Sequence, residues 1–171
     1  MKTMKWFLLS LTGIIFTGCG AGVNDEAVEE HQSFEAVQEE HWPFEKLNEF
    51  NRLIASDAEQ TELTEKHQEM TGLVNQAYEA MQEEHYETEE MIQVHGLYLD
   101  SLRSLDRSLG ELEGELEDNL PDESLQAFLN HQEDSVRYML ESHVKARQDI
   151  YGDDEAEAEA NELLNRFEGN N

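Results

Sequence analysis

The longest regular pattern of apolar and polar residues starts at Leu63 and ends at Leu116. Steps of four and three residues, taken in turn, meet an apolar or aromatic side chain at twelve of sixteen positions. Such a heptad repeat is typical of helices that pack along one another as a coiled coil. Polar Glu84 and Thr88 interrupt its middle, and Gly96 follows. The pattern predicts either one long helix, about 90 Å in length at 1.5 Å per residue, or a helix that bends near Gly96.

Helical spacing also appears on both sides of the repeat. Before it, apolar residues recur every three, four or seven positions at Phe34, Val37, Phe44, Leu47, Phe50 and Ile54. Pro43 interrupts this stripe, and because proline has no backbone N–H, it either kinks the helix or begins a second one. After the repeat, residues 122–151 continue the spacing on a third helix. Residues 152–171 form an acidic C-terminal tail that is either a loosely docked short helix or disordered.

These patterns predict an all-α fold, because no run of strand length alternates apolar and polar residues. We expect residues 24–151 to form an elongated antiparallel helical bundle or coiled coil of about three long helices. Short connections make sequential helices antiparallel neighbours. The first region should therefore pack on the first half of the long helix, and the third helix should return along its second half. The repeat is compatible with a monomer and with pairing to a second copy.

The only cysteine, Cys19, ends a hydrophobic leader. Two lysines precede an apolar stretch over residues 6–16, which is shorter than the ~20 residues of a membrane-spanning helix. Two small residues then lead to Cys19, and this order looks like the lipobox of a bacterial lipoprotein. The resemblance implies a signal peptide over residues 1–18, a diacylglycerol on Cys19 and a tether over residues 19–23. The alternatives are an ordinary secretory signal with a chance cysteine, or an uncleaved anchor.

A diacylglycerol supplies two acyl chains, which is enough for stable membrane anchoring where one chain is marginal. The expected location is therefore the extracytoplasmic face of the cell membrane. A single exported cysteine otherwise lacks a disulfide partner within the chain, and acylation removes that difficulty.

The chain is strongly acidic, with 11 Lys+Arg against 40 Asp+Glu in 171 residues and a net charge of -29. Nucleic acid is excluded as a natural partner, because phosphate binding requires a basic surface. The charge also opposes docking on anionic lipid or anionic wall polymers. Cations, basic proteins and uncharged glycans remain as partners. The acidity either serves such a partner or keeps an exported protein soluble in a saline or alkaline medium.

Three histidines stand four residues before a glutamate, so that each pair would share a helix face and could chelate a divalent cation. The pairs are His31 with Glu35, His41 with Glu45, and His85 with Glu89. Forty acids make such pairs frequent by chance, and no histidine follows a glutamate at the Glu-x-x-His spacing of di-iron bundles. Three further histidines, His67, His95 and His143, fall on apolar stripes. There, a hydrogen bond to a neighbouring polar group is the commoner role.

Two aromatic residues flank Pro43. Trp42 and Phe44 could stack on a sugar ring as a ligand contact, or they could form a buried aromatic plug beside the kink. The sequence contains no nucleophile elbow, phosphate-binding loop or zinc-protease helix motif. We therefore expect neither catalysis nor a cofactor.

One segment supports a family resemblance. It contains Phe34-Glu35, Val37-Gln38, Pro43 and Lys46-Leu47. With the lipobox, the acidic helical opening and the long helices, this segment resembles the cell-wall-binding lipoproteins of Gram-positive bacteria. The resemblance implies an all-helical, non-enzymatic envelope protein and supplies no catalytic residues. Members of that family are generally rich in lysine, whereas this chain is not, which points away from wall binding through basic charge.

The sequence as a whole predicts a lipid-anchored, non-catalytic envelope protein that acts as a spacer, scaffold or wall-interacting module through helical surfaces. Its expected partners are the membrane, through the anchor, and the cell wall or another envelope protein. The alternative is a lipoprotein that binds divalent cations.

Overall fold

The structure is a computed structural model that describes residues 24–56, 58–116 and 121–168. Within those ranges the chain forms helices and no strand, which confirms the all-α prediction. The helices are α1 (Asp25–Glu40), α2 (Phe44–Ile54), α3 (Gln60–Glu83), α4 (Glu89–Gly110), α5 (Asp122–Lys145) and α6 (Ala156–Glu168). A π-helical turn (Ala146–Ile150) continues α5. The predicted signal peptide, Cys19 and the tether lie outside the described residues, as do parts of the predicted connections at residues 57 and 119–120.

The heptad repeat is divided between two helices, so the prediction of one long helix is wrong. The break lies at residues 84–88, whereas Gly96 lies inside α4. The two polar residues in the middle of the repeat explain its place. Glu84 leaves the helix with ψ 140°, and the Thr88 hydroxyl accepts a hydrogen bond from the Met91 backbone N–H at 3.4 Å, as an N-cap does. The count of about three long helices is consequently not confirmed.

The two halves of the repeat fold back on each other as an antiparallel hairpin of α3 and α4. Three side-chain bonds to backbone carbonyls fix the register: Gln60 Nε2 to Leu116 O (2.6 Å), His67 Nε2 to Leu109 O (2.8 Å) and His95 Nε2 to Met81 O (2.8 Å). In this register, a step of seven residues towards the C-terminus on α3 corresponds to a step of seven towards the N-terminus from Leu116 into α4. Apolar residues of the two halves therefore pack against each other as well as against the other helices.

Buried serines join α4 to α5 in a second antiparallel pair. The bonds are Ser108 Oγ to Phe128 O (2.8 Å), Ser101 Oγ with Ser135 Oγ (3.2 Å) and Ser142 Oγ to Val94 O (2.8 Å). These residues again step by seven along each helix. A serine hydroxyl reaches the carbonyl of a neighbouring helix only when the backbones lie close, so small side chains bring α4 and α5 together. As the sequence predicts, the third helical region returns along the helix that precedes it.

The first two helices together form one leg of the bundle. α1 contacts α3, α4 and the π-turn, while α2 packs on α3. The break between them follows from Pro43, since α2 begins at the next residue. Four antiparallel legs result: α1 with α2, then α3, α4 and α5. A leg such as α3, with 24 residues, spans about 36 Å, so the bundle is much shorter than the predicted rod.

The interior divides into two ends with different side chains. The leucine end contains Phe44, Leu47, Phe50, Met70, Val74, Leu105, Leu109, Leu112, Leu116, Phe128 and Met139. The histidine end contains Ala27, Phe34, Ala77, Met81, Met91, Val94, Tyr98, Leu102, Ala146 and Ile150, and it is named for His31, His95 and His143 at its margin. Trp42 packs against both groups. Among the described residues, no helix is both long and apolar enough to cross a membrane.

The C-terminal segment adds a helix to the histidine end. Gly152 adopts φ 68°, a left-handed conformation that glycine reaches without a Cβ clash, and it ends the α5 leg. α6 then packs on α5, with Ala156 and Ala160 buried. Of the two alternatives for the tail, the structure shows a docked helix through Glu168.

Candidate functional site

Of the three predicted metal-chelating pairs, only one lies within a single helix. His41 is the C-terminal cap of α1 and Glu45 lies in α2, so the break at Pro43 separates them. His85 lies in the turn before α4, whereas Glu89 lies within α4, and both are exposed. The assumption that each of these pairs shares one helix is therefore wrong. Both pairs span a helix end, where i and i+4 no longer face the same side.

His31 and Glu35 do share a helix, with Nδ1 and Oε2 at 3.6 Å. The same Nδ1 lies 3.1 Å from the Tyr151 hydroxyl, so a hydrogen-bonding partner already occupies it. In the parts of the chain that the structure describes, no three or more His, Cys, Asp or Glu side chains are placed to hold a metal ion. The remaining chemistry of His31 is therefore that of a buried, titratable group.

The surroundings of His31 form the most concentrated group of titratable side chains inside the bundle. Its ring is 8% exposed and meets the Tyr151 ring edge-on, with centroids 5.4 Å apart. Burial, together with repulsion from the nearby His143, lowers the pKa of His31 to about 4. Burial also lowers the pKa of His143, together with the positive charge of Arg147. Both imidazoles are therefore neutral near pH 7.

Arg147 connects α6 to this group of side chains through ion pairs. It lies in the π-turn with 8% of its surface exposed. Its Nε donates to Asp153 Oδ2 at 2.8 Å, and its Nη1 donates to Glu159 Oε2 at 2.5 Å. The bond from Arg147 lowers the pKa of Asp153. The π-helical geometry is uncommon in itself and usually occurs as a single turn at a specialised site.

Glu30 makes a second contact that the sequence analysis missed. Its carboxylate accepts hydrogen bonds from the backbone N–H of Glu87 at 2.6 Å and of Thr88 at 3.1 Å, and from the Thr88 hydroxyl. Burial opposes ionisation, but these bonds outweigh it and lower the pKa of Glu30. An acid of α1 thus caps the start of α4 and closes the turn of the hairpin. Among so many glutamates, nothing in the sequence distinguishes this one.

His67 and His95, which lie on the heptad repeat, act as hydrogen-bond donors between helices. Because the partners of His67 and His95 are backbone carbonyls, each Nε2 must carry the hydrogen. Each bond reaches a carbonyl in the last turn of the opposite helix, Leu109 O or Met81 O, which also accepts a backbone N–H from the turn that follows. This is the role that the sequence analysis expected for histidines on apolar stripes.

The aromatic pair beside Pro43 has the geometry of an internal plug. Phe44 is buried, Trp42 is half-buried, and their ring centroids lie 4.8 Å apart with a tilt of 45°. Trp42 contacts both ends of the interior. Stacking on a sugar ring stays a prediction, and the buried plug is the alternative that the contacts favour.

The outer faces of the helices carry acid in excess. Basic side chains in ion pairs with neighbours on the same helix are Lys46, Lys66, Arg103, Arg137 and Lys145. Local pairs of this kind contribute little to stability, but they neutralise much of the scarce positive charge. Exposed acids on α1 and α3, such as Glu29, Glu39, Glu62 and Glu79, remain as the main feature of the surface.

Comparison with protein-family models, with curated proteins and with solved structures gives no match to this chain.

Proposed function

We propose that this protein is a lipid-anchored, non-catalytic envelope protein that acts as a scaffold or wall-interacting module through acidic helical faces. The leader that ends at Cys19 supports the anchor. A length near 36 Å for the legs makes a scaffold a better description than a long spacer.

The observation that carries the proposal is that polar side chains in the interior join the helices, whereas the surface is acidic. Polar side chains on inward faces join the legs of the bundle, as with His67, His95 and the serines of α4 and α5. The outward faces carry glutamate and aspartate in excess, while many basic groups are paired locally. A surface of this kind attracts cationic groups over a distance set by salt. The proposed partner is therefore a basic segment of another envelope protein.

The anchor would also orient the bundle. Asp25 begins α1 and follows Cys19 by six residues, a span of at most about 20 Å of extended chain. Since α1 starts at the histidine end, that end would face the membrane and the leucine end would point outward. Anionic lipid would repel the acidic faces and hold the bundle away from the bilayer.

A labelling experiment tests the anchor. Cells that express the full chain are fed a fatty acid analogue, and the wild type is compared with Cys19→Ala. We expect label on the wild type and none on the variant, with any cleaved variant protein released into the medium. Ala21→Ser, two residues further on, is the matched control and should be labelled normally. Label that persists in Cys19→Ala would contradict the lipoprotein proposal.

A crosslinking experiment tests the surface. A partner captured by the wild type in cells should be lost at modest added salt, and it should be reduced when Glu62 and Glu65 on the outer face of α3 become glutamine. Gln68→Glu, on the same helix, adds charge and should not reduce capture. Capture that is indifferent to salt and to both changes would contradict binding through acidic faces.

Calorimetry with zinc, manganese and calcium separates this proposal from a dedicated cation-binding lipoprotein. Weak binding at many sites, abolished by modest salt, agrees with a general acidic surface. One-to-one binding tighter than about micromolar would instead support the cation-binding alternative.

A further inference from the structure

The histidine end concentrates titratable groups at the places where α1 and α6 attach. We propose that it is an acid-operated latch: on acidification α1 and α6 detach from the bundle, while the leucine end stays folded. The proposal concerns the described helices and does not depend on the anchor.

The geometry of His31 is the first step. The ring is packed between the Phe34 ring, at 5.9 Å, and the Tyr151 ring, at 5.4 Å, with little access to water. Tyr151 follows the π-turn, so this contact joins α1 to the end of the α5 leg. A charged imidazolium placed here would lose most of its hydration, which is costly unless a counter-ion replaces it.

The second step is the set of charges that face the two histidines. His31 has the exposed Glu35 on its own helix and His143 on α5. His143 faces Arg147 of the π-turn and the acids Asp153 and Glu159. Those two acids already bind Arg147, so a proton on His143 places a second cation beside a guanidinium that already has its partners.

In the described part of the chain, α3 and α4 pack apolar side chains and aromatic rings against this part of α1. α3 contributes the apolar side chains Ala77 and Met81, and α4 contributes Tyr98 and His95 around Phe34. Glu84 and His85 of the hairpin turn interact with His95. Protonation of His31 therefore adds positive charge at a buried ring whose acidic neighbour, Glu35 at 3.6 Å, is exposed to water and lies on α1 itself, so that this pair does not hold α1 to the bundle.

The third step is the direction of the pH effect. The pKa of His31 falls from 6.5 to about 4 in the folded protein, mainly through burial, and the pKa of His143 is lowered as well. The detached state therefore binds more protons than the closed state below pH ~6.5. The closed state loses stability as the pH falls from there towards the folded pKa values. The pKa of Glu30, whose carboxylate caps the start of α4, is lowered by its hydrogen bonds, so this group loses its charge only below its ordinary value of 4.5.

The leucine end has no equivalent dependence at its central polar contact. Asn51 and Gln132 are buried and exchange two amide hydrogen bonds, at 3.1 and 2.9 Å, between α2 and α5. Neither side chain takes up a proton in this range. Acid also reduces the repulsion among surface carboxylates at both ends, so the difference between the ends comes from the buried histidines. The two ends should therefore respond differently when the pH is lowered.

Methionine residues provide built-in reporters of each end. Met81 and Met91 are buried at the histidine end, and Met70 and Met139 at the leucine end. The full chain, labelled with ¹³C-methyl methionine in mild detergent, is followed by NMR from pH 7 to about 3.5, with peaks assigned through single Met→Leu variants. We expect the Met81 and Met91 signals to shift as the α1 side chains that pack with them, Ala27 and Phe34, move away, while those of Met70 and Met139 stay in place. Simultaneous movement of all four, or none, would overturn the latch.

A pair of substitutions tests the histidines as the cause. His31→Gln with His143→Gln removes both proton acceptors and should shift the midpoint for Met81 and Met91 downward by about one pH unit or more. His131→Gln is the matched control, because His131 also lies on α5 but is half-buried beside Glu111 near the leucine end. It should leave the midpoint unchanged. An unshifted midpoint in the double variant, or an equal shift in the control, would overturn the assignment. If the double variant fails to fold, the wild-type order of the four signals still decides.

Discussion

The leucine end and the histidine end both contain residues of the same heptad repeat, yet they are held together in different ways. At the leucine end, five buried leucines and three phenylalanines surround one pair of neutral amides. At the histidine end, alanine and methionine replace leucine at many positions, and the attachments of α1 and α6 run through Glu30, His31 and Arg147. One repeat thus contributes both to an end rich in buried leucine and to an end where a buried histidine and charged contacts attach α1 and α6.

The largest expected difference between the ends comes from removing an aromatic side chain. Phe50 is fully buried at the leucine end and contacts the rings of His67 and Phe128. Phe50→Ala should lower the free energy of unfolding by about 3–5 kcal/mol, the usual cost of a buried phenylalanine. Phe34→Ala should lower it less, because α1 can detach while α3, α4 and α5 remain packed. Urea unfolding followed by circular dichroism measures both.

A substitution at an exposed position provides the reference for that comparison. Ile92 is 54% exposed, so Ile92→Ala should change the free energy of unfolding by no more than about 0.5 kcal/mol. Equal losses for Phe50→Ala and Phe34→Ala, in one cooperative transition, would show that the two ends fold as one unit.

The next effect concerns the amide pair of the leucine end. Asn51→Ala leaves the Gln132 side chain buried without its partner, which should cost about 1–3 kcal/mol. Because neither group titrates, the loss should be the same at pH 7 and at pH 5. Denaturant unfolding at the two pH values checks this. Asn130→Ala, which breaks the exposed bond from Gln126 at 2.9 Å, should have almost no effect, and a comparable loss there would contradict the importance of burial.

Periodicity alone predicts which residues are inside, but it does not show where a long helix folds back. The apolar positions from Leu63 to Leu116 are largely buried, and the helical class follows from them. Glu84 and Thr88 were visible as interruptions, but a polar residue in a heptad repeat is compatible both with a loosened coiled coil and with a turn. In the structure, Glu30 closes the turn from a distant helix. Such a tertiary contact has no signature in local sequence.

The candidate sites show the same limit. Spacing by four predicted that His41 and Glu45 share a face, but Pro43 ends the helix between them. Nothing was predicted for Ser101 and Ser108, although each is buried against α5. Their spacing by seven was available in the sequence. It gains meaning only when Ser135 and Ser142 are known to lie opposite, which requires the register of two helices that are distant along the chain.

The smallest predicted effect isolates the carboxylate at the histidine end. Glu30→Gln keeps the shape and one acceptor oxygen but removes the charge that faces the first backbone N–H groups of α4. It should lower stability by about 0.5–1 kcal/mol at pH 7, the usual range for a helix cap or a charge near a helix N-terminus.

The pKa of Glu30 is lowered in the folded protein. Its contribution is therefore complete above the ordinary value of 4.5 and is lost as the pH falls through the lower, folded value. The gap between wild type and variant should close over that range, because both side chains are then neutral. Glu29→Gln, one residue earlier and exposed, serves as the control in urea unfolding at each pH. An equal, pH-independent loss in both variants would mean that general surface charge, and not the cap on α4, accounts for the effect.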